Sequence, residues 1–214
     1  MRLNKHGLQL LPEHVAVLTT DENYLIAADL HLGKSAAFRA HGLPIPEGDT
    51  KRDLNRLSDL VSKHRPDHLV IAGDLFHAES GQTKETVDAL LAFIDEIQIP
   101  FILVKGNHDK KIRQLPEEIK QVEDLDINSV RIVHKPEDAA GPMFHICGHV
   151  HPVIKIPDGR NISLRLPCFH LQGQTLTLPS FGSFTGGHVI KPLKDDQIFV
   201  SHMDQVIEVP KSLL

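Results

Sequence analysis

Five apolar runs in this chain end in the same way. "YLIAA" runs into Asp29-Leu30-His31, "HLVIAG" into Asp74, "FILVKG" into Asn107-His108-Asp109, "VRIV" into His134, and "MFHICG" into His149-Val150-His151. If the runs are strands, the polar residues lie at carboxyl ends, where open α/β sheets place their ligand sites. In extended backbone, residues i and i+2 point to the same side. Asp29 then pairs with His31 and His149 with His151, each pair able to grip one ion.

Taken singly, each feature has an ordinary explanation, because Gly-Asp is a common turn and a lone histidine is more often a satisfied polar residue than a ligand. The joint pattern does not. Burying this many carboxylates and imidazoles together is unfavourable unless they are paired or coordinated, so a cation is the economical solution. Mixed imidazole and oxygen donors suit Mn, Fe, Zn or Co, whereas a site for Mg alone would be mostly oxygen and water. Asp29, His31, Asp74, Asn107, His134, His149 and His151 are too many for one site that keeps an open position. The expectation is two metals bridged by one carboxylate.

Between the runs, the pattern predicts alternating strands and helices. "LQLL", "HVAVLTT" and "YLIAAD" read as strands, and "HGLPIPEG" as a loop. A helix from about Thr50 carries the capping pattern Thr50-x-x-Asp53 and an apolar face of Leu54, Leu57, Leu60 and Val61. A second, from about Thr83, presents Val87, Leu90, Leu91, Ile94 and Ile97. The resulting βαβαβ order implies parallel strands with right-handed crossovers. From about Val130 the chain turns strand-rich: "VRIVH", "MFHICGH", "ISLRL", "FHLQGQTLTL" and "IFVSHMDQVIEV". This predicts an α/β fold of two face-to-face sheets with helices outside, in a single domain over residues 1–214.

Composition limits the function classes. The N-terminal segment has no apolar leader and no window approaches the ~18 apolar residues of a membrane span, so a cytoplasmic protein without membrane attachment is expected. Cys147 and Cys168 are too far apart for a metal knuckle and too few for a disulfide framework. The net charge of −5 has the wrong sign for gripping nucleic acid by bulk electrostatics, so an anionic substrate must be held locally. Neither a basic stripe nor an aromatic-rich stacking platform is visible.

"DLH" (29–31), "GD" (73–74), "GNHD" (106–109), a further histidine and "GHVH" (148–151), in that order, resemble the signature of calcineurin-like metallophosphoesterases. More narrowly, "ADLHLGK", "FRAHGLPIPEG", "GHVHP", "RLPCFHL" and "LPSFGSFTGG" resemble the bacterial ligase-associated DNA damage response endonuclease (PdeM) branch, over nearly the whole chain. His170 departs from the large aromatic residue expected there. The resemblance implies a two-sheet α/β/β/α metallophosphoesterase sandwich. It also implies that Asp29, His31 and His151 hold one metal, that Asp74 bridges, and that Asn107, His134 and His149 complete the second, with Mn²⁺ the foremost candidate ion. For the histidine between the last motifs, His134 competes with His145; His134 is favoured because it ends a strand-like run.

Two such cations bind the non-bridging oxygens of a phosphoester and acidify a water. His108 is then the candidate acid, and Asp109 the group expected to orient its imidazole. Lys34 and Arg39 are the cations expected to meet substrate; Lys110, Lys111, Arg113 and Arg165 read as solvated surface. The substrate implied by the resemblance is a phosphodiester, DNA, cut in repair alongside a ligase and a helicase. The competing expectations are a phosphoesterase for small nucleotides or phosphomonoesters and a scaffold that has lost catalysis, although no site position is missing.

Overall fold

Alternation along three adjacent parallel strands divides the apolar side chains between two cores. In the computed structural model, which describes residues 1–3, 6–157 and 163–214, the first sheet runs in chain order. Its strands are β1 (Arg2–Leu3), β2 (Leu8–Leu11), β3 (Val15–Thr19), β4 (Asn23–Ala27), β5 (His68–Ala72), β6 (Phe101–Val104) and β7 (Ile119–Val122). The first four pair antiparallel and the last four parallel. Two crossovers are α-helical, with α1 (Lys34–Ala40) and α2 (Asp49–His64) joining β4 to β5 and α3 (Lys84–Ile97) joining β5 to β6, while β6 reaches β7 through a single 3₁₀ turn at Asp109–Lys111. Leu25, Ala27, Leu69, Ile71, Phe101 and Leu103 pack on the helices, while Ile26, Val70, Ala72, Ile102 and Val104 face the second sheet.

That second sheet comprises β8 (Leu125–Ile127), β9 (Val130–Ile132), β10 (Phe144–Cys147), β11 (Pro152–Pro157), β12 (Ser163–Gln172), β13 (Thr175–Thr177), β14 (His188–Val189), β15 (Gln197–His202) and β16 (Gln205–Glu208). Its order is β14-β11-β12-β13-β10-β9-β8, with β15 paired to β12 and β16 to β15. Phe169, Leu176 and Phe199 point into the sandwich, and Cys168, Ile198 and Val200 form a smaller cluster on the sheet's other face. The two face-to-face sheets expected from the sequence are the observed architecture, with α2 and α3 packed on the outer face of the first sheet.

Several local expectations are corrected. The segments "ISLRL" and "FHLQ" form one strand through Pro167, apart from Ile162, which lies outside the described residues. Proline is tolerated there because β12 changes partners: Pro167 is the last residue opposite β11 among the 163–167 pairs, and Cys168 the first opposite β15. "IFVSHMDQVIEV" is a hairpin, β15 and β16, with Met203 at φ 52° in its turn. Helix α1 was not anticipated, since seven residues are too few to show a period. The buried face of α3 is Thr86, Leu90 and Phe93, with Ile94 and Ile97 packed at its edge, while Val87 and Leu91 are only half-buried.

The capping pattern is also overturned. Gly48, at φ 106°, caps α2 without a side-chain bond, and Thr50 instead accepts the Gly33 N–H (3.0 Å). Asp53 faces inward and receives the Ser183 N–H (2.8 Å), the Ser183 hydroxyl (3.2 Å) and Arg56 (3.0 Å). It fastens the 180–185 loop to the helix. Asp53→Ala is therefore expected to lower the unfolding free energy by about 1–3 kcal/mol, the range for stranding buried donors, with the far-UV helix signal unchanged. Urea denaturation followed by circular dichroism checks this; a loss of native helix content would restore the capping role.

Candidate metal centre

The five motif segments converge at the carboxyl ends of β4, β5, β6, β9 and β10, each site residue lying a few positions beyond its strand. Among the described residues, three groups of donor side chains have their ligand atoms within 4.8 Å of one another: Asp29–His31–His151, Asp74–His134–His149 and His31–His77–His108. The backbone there is not extended. Asp29, His31, Asp74, His149 and His151 adopt φ of 54°, 50°, 48°, 70° and 49°, left-handed values that non-glycine residues seldom take. His149 and His151 therefore do not share a side as extended backbone would require: left-handed turns swing the two imidazoles apart, and each joins a different group.

Glycine precedes these motifs because the strand ends close on one another. A Cβ on Gly73, at φ 88°, would lie 1.8 Å from His134 Nδ1, and one on Gly106 would lie 2.1 Å from Asp74 Oδ1. The carboxylates are held by backbone donors as well. Asp29 Oδ2 accepts the His149 N–H (2.8 Å) and Asp74 Oδ1 the His108 N–H (2.9 Å).

Hydrogen-bond commitments reveal where the lone pairs point. His134 Nδ1 lies 3.3 Å from the Ala72 carbonyl and donates to it, so its Nε2 turns a lone pair toward Asn107 Oδ1 (3.0 Å), His149 Nδ1 (3.1 Å) and Asp74 Oδ2 (3.5 Å). His151 Nδ1 is committed in the same way to the Gly186 carbonyl (3.2 Å), and its Nε2 faces His31 Nε2 (3.3 Å) and Asp29 Oδ2 (3.4 Å). Asp29 Oδ1 and His31 Nδ1 are buried without a hydrogen-bond partner. Two adjoining concave sets of acceptors, too poor in protons to satisfy themselves, are the donor arrangement a pair of cations requires.

Burial keeps two of the ring donors in their ligating form. Burial, reinforced by His151, Lys34, His108 and His77, pushes His31 down to about 2, and burial also lowers His134. Both imidazoles stay neutral. Burial tends to lower His151 too, but the Asp29 carboxylate, joined by the Gly186 carbonyl and Asp74, more than offsets it and the net shift is upward. Burial raises Asp74.

His134 thus enters the donor set, whereas His145, buried on β10, points its Nε2 to the Ala140 carbonyl (3.2 Å). Asp109 does not orient His108. Its carboxylate accepts three backbone N–H groups, from Leu75 (3.0 Å), Phe76 (3.4 Å) and Gly106 (2.9 Å), and clasps the β5 and β6 loops together; burial raises its pKa to about 6. The His77 carbonyl takes the orienting position instead, 2.5 Å from His108 Nδ1. Arg39 is spent on Glu47 (2.9 Å) and the Ile45 carbonyl (3.2 Å), fastening the 41–48 loop rather than standing free for substrate. Lys34 is half-buried, and its charge acts on both His31 and His77. Lys110 pairs with Glu123 (3.0 Å) and Arg113 with Glu79 (3.2 Å). His170, on β12, bonds Asp196 (2.8 Å), which immediately precedes β15. His77 went unnoticed in the sequence, although it stands only three residues beyond Asp74.

The model of one protein family, calcineurin-like phosphoesterase, matches residues 23–137, more than half of the chain. The chain belongs to that family. Calcineurin-like phosphoesterases are hydrolases of phosphate esters with a dinuclear divalent-cation site, and the donor groups described above fit such a site. This phosphoesterase is 29% identical over 133 residues to the DNA double-strand break repair protein Mre11 of Saccharolobus solfataricus, covering 60% of the chain and 33% of that protein. It is 38% identical over 90 residues to one of the component polypeptides of the SbcCD nuclease of Staphylococcus epidermidis, covering 40% and 22%. The chain thus spans a third or less of the length of these curated relatives. The crystal structure of Pseudomonas putida nuclease MPE matches along both chains, with TM-score 0.78, 29% identity and 94% of each covered. No helix among the described residues is long and apolar enough to cross a membrane.

Because Asn offers one acceptor oxygen where Asp109 uses two, Asp109→Asn should cost about 1–3 kcal/mol by stranding at least one loop N–H. Thermal unfolding in EDTA measures it. An unchanged midpoint would mean that the clasp does not stabilise the loops.

Proposed function

We propose that the chain is a two-cation phosphodiesterase that cleaves DNA, built as one domain over residues 1–214. The observation that carries this reading is the pair of adjoining lone-pair pockets, in a chain similar along its length to a nuclease. Asp29, His31 and His151 would hold one cation and Asn107, His134 and His149 the other, with Asp74 bridging. Mn²⁺ is the cation we favour, for the mixed imidazole and oxygen donors; Fe, Zn and Co share that preference. Bound there, the cations supply charge neutralisation for the phosphate and an acidified water.

The chain's own groups supply the rest. With Nδ1 directed at the His77 carbonyl, His108 presents Nε2 to the site, 3.9 Å from Asp74 Oδ2. From Nε2 the ring would give a proton to the departing alkoxide as the P–O bond breaks. The N–H of the same residue holds Asp74 Oδ1, so acid and proposed bridge move as one unit. Lys34 adds positive charge beside His31 for a phosphate oxygen. DNA repair in the cytoplasm, alongside a ligase and a helicase, extends this reading on the strength of the sequence resemblance.

Protein freed of metal and reloaded with Mn²⁺ should cleave bis-p-nitrophenyl phosphate and DNA, lose both activities in EDTA, and fall at least ~100-fold in Asp74→Asn and in His134→Ala. Cleavage that survives chelation overturns the proposal, and preference for p-nitrophenyl phosphate or cyclic nucleotides over DNA overturns its substrate. His108→Ala should lower kcat about 10²–10⁴-fold; unchanged turnover removes that residue from the mechanism.

A further inference from the structure

Beside the donor groups the fold assembles a row of rings from distant segments. His108 stacks on His77 (centroids 5.3 Å, 24° between planes), Phe38 meets His77 edge-on (5.7 Å, 69°), and Phe184 meets Phe38 (5.8 Å, 79°). The row begins at the centre itself, since His31 contacts both His77 (5.5 Å) and His108 (5.1 Å). Its outer end is open: Phe184 is 37% exposed and Phe38 half-buried, while Leu43, 51% exposed, adjoins Phe38 through its N–H bond to the Phe38 carbonyl (3.0 Å). The other phenylalanines named so far are buried in the two main cores, so an open pair at the rim of a polar site is not explained by packing.

The segment carrying Phe184 is anchored to the centre. Ser180 donates to the Asp29 carbonyl (2.8 Å), the Phe181 N–H to Ala28 (2.8 Å) and the Gly182 N–H to Asp29 (3.2 Å). Asp53 and Arg52 hold Ser183 from α2. The segment that presents the ring is therefore tied to Asp29 and to α2. On the opposite side, Lys34 and Phe38 lie four residues apart on α1 and share a face, setting a cation and a ring one turn from each other.

We infer that Phe38 and Phe184 form a platform on which the base flanking the scissile phosphate stacks, so that the preferred substrate is single-stranded DNA with unpaired bases. The inference rests on the phosphodiesterase reading above. A cation for phosphate next to an aromatic face for a base is the pairing that binds single strands, and stacking is indifferent to which base is offered. In a duplex the faces of the bases are covered by their neighbours, and the platform has nothing to hold.

The test is a cycle of Phe184→Ala against removal of one base, in Mn²⁺-loaded protein, with oligonucleotides carrying or lacking the base next to the cut. Stacking predicts that each change alone raises KM for the single strand roughly tenfold or more, that the two together cost no more than either, and that Phe184→Trp retains affinity while Phe184→Leu does not. Additive losses, or Leu restoring what Ala removes, overturn the platform, as does a Phe184→Ala protein with wild-type KM. Wild-type protein that cleaves no phosphodiester with Mn²⁺ sinks the underlying function instead, so the two failures are distinguishable.

Discussion

Asp29 is the point on which the two sheets and the site depend. It is fully buried beyond the end of β4, yet its carboxylate reaches the β10 loop through the His149 N–H and its carbonyl is held by the 180–182 segment. One residue of the first sheet thus locks onto two loops following strands of the second. A buried carboxylate with one oxygen unpartnered is costly in an apolar sandwich. His31 and His134, held neutral by burial, bring no positive charge to balance it, which a cation would supply.

The same economy shapes the neighbouring loops. Left-handed backbone at five non-glycine site residues and glycines abutting His134 and Asp74 are unfavourable locally, and each exists to bring donors from separate strands together. Asp109 compensates by satisfying three backbone donors where the β5 and β6 loops meet. Stability here is built around the site rather than under it, and the rim of rings around His77 adds a surface that the fold alone does not require.

Much of the fold was legible because it is periodic. The strand runs, the α2 face of Leu54, Leu57, Leu60 and Val61, and the βαβαβ order follow from local hydrophobic patterning, which depends only on neighbours in sequence. Where the reading went astray, a distant partner decided the outcome. Asp53 looked like a cap and is held by Ser183; "ISLRL" and "FHLQ" looked like separate strands and join where β12 exchanges β11 for β15; Arg39 looked free and is bound by Glu47.

The sequence by itself determined which residue types arrive at the strand ends, and so the chemistry available: carboxylates, imidazoles and one amide following apolar runs. Only the tertiary structure decided how they are shared out. His149 and His151, two residues apart, go to different donor groups, Asp109 turns to backbone instead of His108, and Phe38, His77 and Phe184 meet from three segments. The reason is geometric. Residue identity is a local property, whereas the direction of a side chain leaving a left-handed loop is set by the strands packed around it.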